Sequence, residues 1–161
     1  MSMKRIMAAL LIAAAPLQLH AQNADIDMGA LNSAIAAQRQ ITETQRQLLV
    51  AENLSLTETE STNFWPIYRD YRSDVGKLDD RAVTLLTRYA EEYLTLKDDE
   101  ALTLLKDSMK LDSDREKLKQ RYVSKFRKVL PGVKVARYMQ IEIRLDTISR
   151  LKLQSAIPLA I

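Results

Sequence analysis

Cysteine is absent from the 161 residues. That excludes disulfides, thiolate metal sites, cysteine nucleophiles and a lipid-modified amino-terminal cysteine. Histidine occurs once, at His20, inside a segment that reads as a leader. The working chain then has neither the ordinary neutral-pH general base nor the two preferred zinc ligands. Only three glycines and four prolines punctuate the chain, and no good period-2 strand pattern is present, so strands and tight turns have little support. Nucleotide-binding glycine loops, G-x-S-x-G, H-E-x-x-H and calcium-loop spacings are all missing. The adjacent carboxylates Asp79-Asp80, Glu91-Glu92 and Asp98-Asp99 point about 100° apart on a helix, so they read as solvated faces and not as catalytic dyads. Met28, Met109 and Met139 are too scattered for a copper site and read as core filler. The expectation is a protein that is not an enzyme, with no catalytic residue, no metal and no cofactor.

Long apolar runs are scarce as well. The one that stands out, Ile6 to Ala15, follows Lys4 and Arg5 and precedes Leu19-His20-Ala21. A basic start, a short apolar core and a small residue before the cut describe a secretory signal peptide over residues 1–21. The expected product is a periplasmic chain of one domain, residues 22–161. Without Lys4 and Arg5 its 22 bases nearly balance 21 acids.

What fills the chain is Leu, Ala, Glu, Lys, Arg and Gln, and the fold class it predicts is all-α. Helices are expected over about 31–53, 57–93, 98–130 and 131–155. The first carries a mixed face of Ile41, Gln45, Leu48, Leu49 and Glu52. The second repeats Phe64, Tyr68, Tyr71, Val75, Leu78, Ala82, Leu85 and Tyr89 at alternating steps of four and three, a heptad-like seam. The third has Ala101, Leu104, Ser108, Leu111, Arg115, Leu118, Tyr122, Phe126 and Val129. A short connection folds these two into an antiparallel hairpin, with Tyr71 opposite Tyr122, Tyr68 opposite Phe126 and Val75 opposite Leu118. Pro131 suits the first turn of the fourth helix, whose face is Tyr138, Ile141, Leu145 and Ile148. Pro158 ends that helix before Leu159-Ala160-Ile161, and the apolar tail from Ile157 to Ile161 suits a dimer or docking on its own hairpin.

Thr57 and Glu60 form a capping box, with Leu56 placed to staple the first turn. Pro66 then removes one helical hydrogen bond. Either the helix runs through it with a kink, or the main helix starts near Asn63. Trp65 beside the seam is either core or a flanking contact surface.

Leu56-Thr57-Glu58-Thr59-Glu60 is echoed by Leu96-Lys97-Asp98-Asp99-Glu100, each at the start of a long helix. The two copies resemble the paired LTxxQ motifs of the Spy/CpxP type of bacterial periplasmic proteins, over roughly Leu48 to Gln140. Glu60 and Glu100 stand where the motif has Gln, and Lys97 stands in place of the second Thr. The resemblance implies a long helical hairpin that dimerises into a curved cradle. It also implies an ATP-independent chaperone or an envelope-stress regulator. The motif positions are Leu56, Thr57, Glu60, Leu96 and Glu100. Metal sensing by histidines, found in some relatives, is not expected in a chain without them.

Charge is segregated along the sequence. Glu52 to Glu100 holds twelve acids against six bases, and Arg115 to Arg137 nine bases against one acid. Facing helices that neutralise one another account for such a pattern. A basic surface for an acidic partner, an unfolded client or an anionic membrane is the alternative. Trp65, Ile67, Arg69, Arg72, Lys119 and Arg127 are the residues expected to touch a client or partner. The partners expected are unfolded envelope proteins or a membrane sensor, with a homodimer and peripheral membrane contact, and no nucleic acid.

Overall fold

The computed structural model describes residues 27–29, 32–33, 43–154 and 157, with side chains left aside at 152–154. Among the described residues, four long helices follow in order: α1 Glu43–Leu54, α2 Glu58–Glu92, α3 Asp98–Phe126 and α4 Gly132–Gln154. A single 3₁₀ turn, Tyr93–Thr95, joins α2 to α3. The expected leader, the expected helical residues 34–42 and the tail residues 158–161 lie outside the described residues.

α2 and α3 form the long antiparallel pair that the seams require. Phe64, Tyr68, Tyr71, Val75 and Leu78 are buried on α2, facing Leu104, Leu111, Leu118, Tyr122 and Phe126 on α3. Tyr71 meets Tyr122 with ring centroids 5.2 Å apart, while Phe126 sits between Phe64 at 5.3 Å and Tyr71 at 6.3 Å. The expected pairing of Tyr71 with Tyr122 holds, whereas the Tyr68 ring packs on Phe64, Trp65 and Tyr138 rather than on Phe126. Across the hairpin, Arg115 donates to Asp79 at 2.8 Å and Tyr122 to Asp74 at 2.9 Å.

α2 runs unbroken through Pro66, so the reading that starts the main helix at Asn63 falls. The helix is already nucleated before the proline. The Thr57 hydroxyl accepts from Glu60 N–H at 3.2 Å, and the Glu60 carboxylate accepts from Thr57 N–H at 2.8 Å. α3 has only half of this device. Glu100 accepts from Lys97 N–H at 3.2 Å, but an ammonium has no lone pair with which to cap the other way.

Two expected faces are corrected. On α1 the buried residues are Arg46, Val50 and Leu54, while Leu48 and Leu49 are exposed. On α4 they are Val135, Tyr138, Met139, Glu142 and Ser149, while Ile148 is exposed and Ile141 and Leu145 are half-buried. Each stripe is turned by roughly one position because a charge sits on it, and the two charges pair with each other. The ends also differ in detail. α3 stops at Phe126, and Leu130 N–H bonds back to the Phe126 carbonyl. Pro131 stands just before α4, its carbonyl accepting from Lys134 and Val135.

α1 and α4 cover one half of the hairpin, where the aromatics collect. Among the described residues, the other half, toward the turn, carries only a small second cluster. There Ala90 and Tyr93 pack with Leu86, Tyr89 and Ile157, which places the one described residue of the tail on its own hairpin.

Candidate functional site

The interior of the covered half is polar at its centre. Glu142 is fully buried, and one of its oxygens accepts from Arg46 Nη1 at 3.0 Å and Arg72 Nη1 at 3.3 Å. Arg46 reaches on to Asp146 at 3.3 Å, and Arg72 to Glu43 at 3.2 Å. Three helices are thus tied through one carboxylate. Its second oxygen is buried without a hydrogen-bond partner, as are the Tyr71 and Tyr138 hydroxyls. The Tyr68 hydroxyl is buried beside the Glu43 carboxylate, without good hydrogen-bond geometry. Burial raises the Glu142 pKa to about 7, even though both arginines pull it down. Burial, and then the Glu142 charge, also holds the Tyr71 and Tyr138 phenols well above their ordinary range.

This cluster has no room to be a substrate site. The neighbouring cleft between α2, α3 and α4, bordered by Tyr71, Asp146 and Arg150, holds about 60 Å³. Small-molecule sites are several times larger.

The motif positions do structural work. Leu56 packs half-buried on the core, and Thr57 and Glu60 close the box. Lys134 of α4 then clamps the same corner, donating to Glu60 and to the Ser55 carbonyl. That bond and the Thr57 N–H hold the Glu60 carboxyl below its usual range.

The six expected contact residues do not gather into one surface. Trp65 and Ile67 are half-buried against the core, and Trp65 Nε1 donates to the Ser61 hydroxyl at 3.0 Å. Arg72 is drawn into the ion cluster. Lys119 borders the small cleft, and Arg69 and Arg127 are exposed on α2 and after α3.

A surface outside that set is more coherent. Leu102, Leu105 and Met109 lie on the outer face of α3 and are 53%, 55% and 64% exposed. Steps of three and four put them on one stripe, turned away from the buried Leu104 and Leu111. Leu94, in the turn itself, is 57% exposed. The spacing was present in the sequence, but the stronger Leu104–Leu111–Leu118 seam accounts for the helix without it.

Set against protein-family models, curated proteins and solved structures, the chain matches none. Among the described residues, no helix is long and apolar enough to cross a membrane.

Proposed function

We propose that the chain is a periplasmic, ATP-independent, chaperone-like protein that holds non-native polypeptides during envelope stress. The carrying observation is the exposed Leu102–Leu105–Met109 stripe on the half of the hairpin that α1 and α4 leave bare. Scattered exposed leucines are ordinary, but a contiguous apolar stripe marks an interaction surface. The leader-like residues 1–21 and the twin Leu-x-x-x-Glu helix starts, similar to the LTxxQ motifs, support export and the Spy/CpxP resemblance.

The chemistry needed is modest. Covering three half-exposed apolar side chains contributes on the order of 3–4 kcal/mol before the cost of association is set against it. Holding of this kind is weak and exchanges quickly, which suits a client that must later fold. No nucleotide and no reacting group enter the scheme.

The test is aggregation suppression. A chemically denatured client is diluted into the chain from Gln22 onward without ATP, and light scattering is followed beside an inert helical control. The expected result is suppression that grows with molar excess of the chain and is largely lost in the L102Q/L105Q/M109Q variant. Scattering equal to the control would overturn the reading and move the weight to a dedicated partner, such as the periplasmic domain of a membrane sensor.

A further inference from the structure

The carboxyl-terminal half of α3 carries a second surface, and it is electrostatic. Of the nine bases between Arg115 and Arg137, two are engaged in ion pairs, Arg115 with Asp79 and Lys134 with Glu60. The other seven make no direct ion pair among the described residues, and of them only Arg121 acts on a carboxylate of the facing helix, Asp74, at longer range, so helix-to-helix neutralisation accounts for few of them. The helix dipole favours cations only in the last turn, which leaves the earlier ones without a structural reason.

Four of the seven form a line. Lys117, Arg121, Lys125 and Lys128 follow at steps of four, four and three, and all are exposed. Lys117, Arg121 and Lys125 share one face of α3, over about 12 Å at 1.5 Å per residue, and Lys128 follows in the turn just past its end. The acids that border the row are mostly occupied. Asp114 takes Arg81 at 3.0 Å and Lys110 at 3.3 Å. Asp74 takes Lys77 and the Tyr122 hydroxyl. These partners hold both carboxyls below their usual range, so they remain ionised and committed. Two opposing charges remain, Asp70, exposed on α2 near Tyr122, and Glu116, exposed beside Lys117 and accepting from Gln120 at 3.4 Å. Lys125 is steadied by the Tyr122 ring, with Nζ 4.1 Å from its centroid.

We infer that this row docks on the phosphate headgroups of an anionic membrane surface. Charge complementarity carries the choice of occupant. The row has no apolar member, and the aromatics beneath it, Tyr122 and Phe126, are buried. It therefore has no means of gripping a protein partner by burial. What it offers is evenly spaced cations about 5–6 Å apart. A fluid layer of phosphates adjusts to such a row without a fixed complementary shape, and each basic residue near an anionic bilayer adds to the attraction. The apolar stripe lies nearer the turn on the same helix, so docking by the row leaves it free.

The test is vesicle co-sedimentation of the chain from Gln22 onward. Phosphatidylcholine vesicles are compared with phosphatidylcholine–phosphatidylglycerol vesicles, at low and high salt, with the K117Q/R121Q/K125Q/K128Q variant alongside. Circular dichroism confirms that the variant is folded. The wild type is expected to prefer the anionic vesicles and to lose that preference in high salt. At about fivefold per charge, the variant should partition on the order of a hundredfold or more weaker. Equal binding to both lipids, insensitive to salt, would overturn the inference, because it would place the contact in apolar residues. So would a folded variant that binds as the wild type does. Wild-type binding to soluble polyglutamate but not to anionic vesicles would overturn it in favour of an acidic protein partner.

Discussion

Glu142 has two arginines within hydrogen-bond reach and still holds its proton more tightly than a free glutamate. Burial outweighs attraction because the carboxylate is cut off from water and only one of its oxygens is bonded. The groups facing it are Glu43 and Arg46 from α1, Arg72, Tyr68 and Tyr71 from α2, and Tyr138 and Asp146 from α4. Its pKa is raised from 4.5 to about 7, so the folded state binds the proton better than the unfolded chain does. The resulting stability is present in full below the unfolded value and is lost as pH rises through about 7. At 1.36 kcal/mol per unit the loss between pH 5 and pH 8 is about 3 kcal/mol. Glu60, Asp74 and Asp114 have lowered values, so their contributions fade only in stronger acid. Urea midpoints should therefore fall from pH 5 to pH 8 in the wild type and stay nearly level in Glu142→Gln. A wild type more stable at pH 8 than at pH 5 would mean that the two arginines outweigh burial.

The elements differ in how far their sequence discloses them. α2 and α3 were legible because the same alternation of fours and threes runs over five or more turns on both, and the two seams check each other. α1 and α4 were legible as helices, but their buried faces were not. Arg46 and Glu142 are charged, so a search for apolar stripes places them outside. What turns them inward is a pairing across 96 residues, which no local window contains. The two helix starts make a cleaner comparison. Thr57 closes its box from both sides, whereas Lys97 leaves the Glu100 N–H without a side-chain cap. Lys97→Thr should supply the missing half. An N-cap of this type is worth about 1 kcal/mol, so the unfolding free energy from urea titration should rise by about that amount. No change would show that the lysine contributes there in another way.

At the scale of the whole molecule, the hairpin is unevenly supported. The covered half buries Phe64, Tyr68, Tyr71, Tyr122, Phe126 and Tyr138 in one cluster, and the ion network adds ties from α1 and α4. Toward the turn, residues 82–89 are at best half-buried, and the core shrinks to Leu104 and the Ala90–Tyr93 cluster. Opening free energy follows buried apolar contact, so parts with few such contacts open below the global unfolding free energy. Native-state hydrogen exchange should therefore divide the two long helices. Amides of residues 64–78 and 118–126 are expected to exchange only through global unfolding, in step with the urea-derived stability. Amides of residues 84–92 and 100–109 are expected to exchange faster and with little denaturant dependence. The consequence reaches the proposed activity, because each local opening near the turn widens the apolar surface that begins with Leu102, Leu105 and Met109. Uniform protection along both helices would make the hairpin a single cooperative unit. The stripe would then have to hold its clients as a fixed surface, with no contribution from opening.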